Sequence, residues 1–210
     1  PECTFYCKRK SSRLLGNDGG ENMLTSTWEW IRLLGFLAYF YFTVSIVFGL
    51  LRKSTFVKSH KNLIYQVHQN AGWLGLITVV AHMFVLIIDN YEPYALVEVL
   101  LPFSSHYQPI ASGLGIIAFY LFLLVLLTSD LWLKSMNRSI WKSIHFLVLP
   151  AWLLSLLHGI LIGSDTDNIY ILLFYFTSAG CVLSILIARM VSQGRKTKDK
   201  TVPQALRSSK

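Results

Sequence analysis

The sequence predicts an all-α integral membrane protein built as a bundle of about five transmembrane helices. Three observations predict it. Long apolar stretches recur along a chain of 210 residues that is 53% hydrophobic and only 14% charged, and each is long enough to cross a bilayer as a helix. Lysine and arginine gather in alternate connecting segments. Four of the six histidines fall inside the apolar stretches, where an ionisable side chain is costly and by default marks a functional site. Helices are the expected spanning element, because lipid cannot satisfy an open backbone.

Residues 1–27 read as an extracytoplasmic tail with no secretory-signal pattern. Cys3 and Cys7 lie there, at a spacing too common to assign a pairing. The first span covers 28–51 and the second 63–89, the latter carrying His68 and His82. Between the second and third spans, the stretch YALVEVLLPF at 94–103 is too short to cross and is bounded by Pro93 and Pro102. It reads as an interfacial helix with Leu96, Val99 and Leu100 on one face. The third span, 110–133, contains Gly-Leu-Gly at 113–115, which reads as close helix packing rather than a phosphate loop. The fourth span, 140–163, carries His145 and His158 with Pro150 between them, where a kink is expected. The fifth, 168–192, holds Cys181, read as a small packing residue. Residues 193–210 are basic and polar and read as a cytoplasmic tail without regular structure. The spans together make a single membrane domain, 28–192.

Charge placement gives the orientation. The 51–62 connection holds Arg52, Lys53, Lys58 and Lys61, and the 134–142 connection holds Lys134, Arg138 and Lys142. The 89–109 and 164–168 connections hold Asp89, Glu92, Glu98, Asp165 and Asp167 and no lysine or arginine. The positive-inside rule puts the first two connections and the C-terminus in the cytoplasm, with the N-terminus outside, as for a multi-pass protein of the plasma membrane. Lys8, Arg9, Lys10 and Arg13 run against this, but lie far enough from the first span to count for little.

The histidines are the chemical signal. His68 and His82 are 14 residues apart, His145 and His158 are 13 apart. At about 1.5 Å per residue each pair separates two depths by roughly 20 Å, most of the hydrocarbon core. The second and fourth spans run the same way, so His68 pairs with His145 near the cytoplasmic face, and His82 with His158 nearer the outer face. Imidazole is a common axial ligand of haem iron, and two matched pairs suit two haems. No CxxCH is present, which excludes covalent c-type attachment. On the second span His68, Gly72, Gly75, Val79 and His82 share one stripe, and two glycines there suggest close approach of something flat. On a straight helix His158 would sit roughly 140° away from His145. Thr78 and Ser155 are the nearest candidates to orient His82 and His158, with backbone carbonyls for His68 and His145. Arg138, Lys142, Lys58 and Lys61 are candidate partners for haem carboxylates at the cytoplasmic face, and Arg32 at the other.

The segment IWKSIHFLVLPAWLLSLLHGILIGSDTDN at 140–168, with its W-K-x-I-H start, its H-G thirteen residues on and the G-S-D-T that follows, resembles the ferric reductase-like transmembrane domain family. That family includes the membrane parts of NADPH oxidases and ferric reductases and the haem subunit of bacterial methionine sulfoxide reductase. The resemblance covers about residues 30–190. It implies that His68, His82, His145 and His158 are axial ligands of b-type haem. It departs after the last span, where oxidase and reductase members continue into FAD- and NAD-binding domains. The expected protein is therefore an oxidoreductase membrane subunit without its own flavin or nicotinamide site. It would carry electrons from a separate flavoprotein or quinol to an outer-face acceptor or partner enzyme, among membrane lipid and with no nucleic acid. Two other readings stay open: a transition-metal transporter with intramembrane histidine ligands, and a non-redox haem-binding assembly subunit.

Overall fold

The computed structural model describes residues 27–52, 59–89, 93–132, 135–163 and 168–201, with side chains to residue 192. The expected N-terminal tail with Cys3, Cys7 and its four cations, Lys53, Lys58, Glu92, Lys134, the Asp165 and Asp167 connection and the end of the basic tail lie outside the described residues. The described chain is all-helical. Its elements are α1 (Thr27–Leu51), α2 (Lys61–Ile88), α3 (Leu96–Leu100), α4 (Pro109–Asp130), α5 (Arg138–Phe146), α6 (Val148–Ile162) and α7 (Ile169–Thr201). Five spans long and apolar enough to cross a membrane result, with α5 and α6 together forming the fourth. The protein is a multi-pass membrane protein.

Two antiparallel hairpins make the bundle. The first is α1 against α2, the most extensive helix pair in the molecule, and the second is α4 against α5–α6. The Thr27 hydroxyl donates to Asp89, tying the start of α1 to the end of α2. α7 packs mainly on α1. Where the hairpins meet, Tyr39, Phe42, Ile46, Ala118, Phe122, Ala151, Trp152 and Leu156 form the core, joined by Tyr175 and Val182 of α7. Polar atoms inside it are paired across helices: Trp152 Nε1 donates to Thr43 Oγ1 at 2.9 Å, and Tyr39 and Ser178 hydroxyls meet at 2.6 Å. Such bonds hold helices together where lipid offers no partner. At mid-depth the Phe42 and Phe122 rings stack with centroids 3.7 Å apart and planes 2° apart. The histidine-bearing α2 and α6 make hardly any direct contact, so α1 and α4 separate them.

The fourth span is broken rather than bent. Pro150 has no N–H to bond the Phe146 carbonyl, and its ring crowds that carbonyl. The chain answers with a tight turn, Leu147 N to Ile144 O at 2.9 Å, then restarts the helix with Ala151 N to Leu147 O at 3.0 Å. Asn137 caps α5 by accepting from Ser139 N at 2.9 Å.

Three expectations are corrected. Residues 193–201 continue the α7 helix: lysine and arginine are good helix formers, and no proline intervenes before Pro203. Cys181 is exposed rather than packed, because α7 turns Tyr175, Ser178 and Val182 inward and Cys181 lies off that stripe. The 94–103 segment does not span, as expected, but its helix is one short turn at Leu96–Leu100. Within that turn Val99 is buried, and Leu96 and Leu100 are exposed on the protein's surface.

Candidate functional site

Each histidine ring leans on the first helix of its own hairpin. His68 Nδ1 donates to the Ser45 carbonyl at 2.7 Å, and His82 Nδ1 to the Ile31 carbonyl at 2.9 Å, both on α1. His158 Nδ1 donates to the Ala111 carbonyl of α4 at 2.7 Å. A carbonyl can only accept, so the proton of these three rings resides on Nδ1 and Nε2 is left as the lone-pair nitrogen. His145 differs. Its Nδ1 meets the Ser129 hydroxyl at 3.2 Å, and a hydroxyl can donate or accept. Trp141 stacks on the His145 ring at 5.0 Å and donates its own N–H to the same hydroxyl at 3.3 Å. Ser45 reinforces His68 with a return bond, its hydroxyl donating to the His68 carbonyl at 2.8 Å.

The break between α5 and α6 matters here. Thirteen residues of straight helix would leave the two rings roughly 140° apart, yet both His145 and His158 reach α4. The turn at Leu147 supplies the missing rotation.

The structure brings His68 and His145 together. His68 and His145 face each other with ring centroids 6.1 Å apart and planes at 76°. His82 and His158 each rest on the first helix of their own hairpin, at the Ile31 and Ala111 carbonyls. The first pair opens into a cavity of about 450 Å³ lined by both rings, Phe42, Phe122, Trp73 and Trp141, with Arg52 and Arg138 also in its wall. Arg52 lies over the Tyr65 ring, 4.9 Å from its centroid, a cation–π contact. Asp130 closes another part of the wall, accepting from Trp73 Nε1 at 2.5 Å and Gln69 Nε2 at 3.4 Å. Of the cations named from sequence at this end, Arg138 lines the cavity and Arg52 joins it. Lys61 and Lys142 are exposed on their helices.

Thr78 and Ser155 do not orient histidines. Their hydroxyls donate to Leu74 and Trp152 carbonyls on their own helices, the usual fate of a hydroxyl within a helix. Of the two α2 glycines, Gly75 admits something flat, the Phe42 ring, which would sit 2.9 Å from a Cβ there. Gly72 faces Leu126 and Ser45 instead. Sequence reasoning missed Ser45, Ser129 and Trp141, and the carbonyls of Ile31 and Ala111. One signal was available: Gly35 and Gly49 on the first span repeat the 14-residue interval of His68 and His82.

Among the described residues no three histidine, cysteine, aspartate or glutamate side chains gather as a self-sufficient metal site. Paired imidazoles facing one another across a gap instead suit a planar metal macrocycle that brings its own in-plane ligands. Two metal–nitrogen bonds of about 2 Å, plus the distance from each Nε2 to its ring centre, span about 6 Å, and the His68–His145 separation of 6.1 Å matches this. The residues present fit such a group.

Fold and site thus define a class: polytopic helical membrane proteins with imidazoles on two spans, two of which meet beside a cavity. The chain belongs to the ferric reductase-like transmembrane component family, whose model matches residues 34–156. The match includes His68, His82 and His145 and ends two residues before His158. Members of this family typically bind haem, and the family points to a membrane electron-transfer component. Neither a curated protein nor a solved structure matches the chain significantly.

Proposed function

We propose that the chain is a b-type cytochrome that conducts electrons across the plasma membrane. His68 and His145 would hold one haem, and His82 and His158 a second. The observation that carries this reading is the facing of His68 and His145 at 6.1 Å over a cavity of about 450 Å³. Haem held between two histidines would supply reversible one-electron chemistry, which suits electron transfer rather than tight oxygen binding.

The residues around the pairs do the rest. The Ser45, Ile31 and Ala111 carbonyls hold Nδ1 protonated and aim Nε2 away from the supporting helix. Arg52 and Arg138 give the first site two cations for haem carboxylates. Phe42 and Phe122, stacked between the two depths, keep water out of the middle of the bundle. With Arg52 and Arg138 at the cytoplasmic end, electrons enter near His68 and His145 and leave near His82 and His158. The donor is a separate flavoprotein or quinol, and the acceptor lies on the outer face.

Two measurements on the purified chain test this. A reduced-minus-oxidised spectrum should give the α-band of a six-coordinate b-type haem; its absence rejects the reading. Reduction should then follow with a flavin reductase plus NADPH, or with quinol, and not with NADPH alone. Rapid reduction by NADPH alone would overturn the assignment of a separate donor.

A further inference from the structure

Three of the four histidines rest on the same local device. Where Ile31, Ser45 and Ala111 offer their carbonyls, the residue four positions later is Gly35, Gly49 and Gly115. That residue's N–H is the helical partner of the same carbonyl, so its Cα lies beside the histidine ring. A Cβ at Gly49 would sit 2.9 Å from His68 Cε1, one at Gly115 2.7 Å from His158 Nδ1, and one at Gly35 3.2 Å from His82 Cε1. The first two distances are closer than real methyl groups come, and the third is tight. Each ring can therefore lie flat enough to share the helical carbonyl only because the side chain four residues on is missing. Glycine costs about 1 kcal/mol of helix propensity relative to alanine, and repeating it at each of these seats has a steric reason.

We propose that Gly35, Gly49 and Gly115 are positioning residues that set the ligand strength of His82, His68 and His158. The inference rests on the haem reading above. An imidazole whose Nδ1–H is given to a carbonyl is a more basic ligand through Nε2 and favours ferric over ferrous iron. A methyl group at the glycine pushes the ring off, weakens the Nδ1–H bond and raises the midpoint potential of that site alone. Gly49→Ala should move the haem held by His68, while Gly35→Ala and Gly115→Ala should each move the other.

The test is a redox titration with ferric EPR of each alanine variant, alongside Gly180→Ala. Gly180 has nothing within 4 Å of its would-be Cβ, so that variant controls for the substitution itself. The expected result is an upward shift at one haem, of the order of a tenfold change in its reduction equilibrium, about 59 mV for one electron. Its EPR signal should change as the ring rotates, while the second haem and Gly180→Ala stay put. Selective loss of the one haem named for each glycine also supports the seat. Retained haem with unmoved potentials and signals overturns it, as do equal shifts at both haems. A wild-type chain without haem rejects the parent reading instead. Should an alanine variant fail to accumulate, His68→Gly reconstituted with imidazole or 1-methylimidazole reads the same bond. The second ligand has no N–H to give Ser45 and should yield the higher potential; equal potentials overturn the proposal.

Discussion

The two hairpins perform the same task with different means. In α1–α2 the histidines are 14 residues apart on an unbroken helix, close to the 14.4 of four full turns, and both rings settle on carbonyl–glycine seats of the facing helix. In α4–α5–α6 the spacing is 13, the helix is broken at Leu147, and only His158 has that seat. His145 relies on the Ser129 hydroxyl and the Trp141 ring. Histidine depth is thus set by residue count, whereas ring direction is set either by near-integral turns or by a break in the helix. A ring whose tautomer is imposed by a carbonyl also differs from one whose hydroxyl partner allows either tautomer.

The largest effects should come from the ligands. His68→Ala or His145→Ala should each abolish one haem, and His82→Ala or His158→Ala the other, read by pyridine haemochrome. Full occupancy in all four variants would break the pairing. His60 is exposed beside α2 and His106 lies on the segment before α4; alanine at either should leave haem content unchanged.

Next comes the break. Pro150→Ala restores an N–H for the Phe146 carbonyl and removes a distortion worth about 3 kcal/mol in a continuous helix. A continuous helix turns His158 away from His145's side. Loss of the haem proposed for His82 and His158 is expected, although the protein gains helical regularity. Unaltered haem content and an unaltered spectrum would mean that the turn at Leu147 is held by packing rather than by proline.

Ser129 sharpens the contrast between the two seats. Ser129→Ala leaves His145 with Trp141 stacking alone. A loss of about 10- to 100-fold in haem affinity is the usual effect of deleting such a partner, confined to the site that also contains His68. An affinity that does not change would make Trp141 the true support of His145.

The smallest effect belongs to the loop between the hairpins. The Glu98 carboxylate accepts from His106 Nδ1 at 2.6 Å, from the His106 backbone N–H at 3.0 Å and from Ala95 N at 2.9 Å. The His106 ring bond, followed by that from Ala95, holds Glu98 below the usual carboxylate range. A depressed carboxylate pKa contributes order that is fully present above the ordinary glutamate value and is lost as pH falls through the folded value. The protection of residues 95–106 against hydrogen exchange, corrected for the intrinsic rate at each pH, should therefore fall only in acid. Glu98→Gln should remove that dependence; a wild-type segment equally protected at low pH would show that the carboxylate does not hold it.

Much of this was legible in the sequence, for physical reasons that differ by feature. The five spans follow from apolar length, which lipid thickness makes nearly decisive. The depths of the four histidines follow from the helical rise. What holds the rings was not legible. Ile31 and Ala111 act through backbone carbonyls, which every residue possesses, so their identity carries no signal. Thr78 and Ser155 are near His82 and His158 in sequence, yet a hydroxyl within a helix finds its own backbone first. Ser129 and Arg52 reach the cavity only through the way α2, α4 and α5 meet, which periodicity does not encode. Pro150 announced a disturbance, but its position at Leu147 and its consequence for His145 needed the packed hairpin.

The haem-to-chain ratio tests the central claim most directly. Pyridine haemochrome content measured against quantitative amino-acid analysis of the purified chain should give two b-type haems per chain. A chain that is folded and helical by circular dichroism yet carries no haem would contradict it.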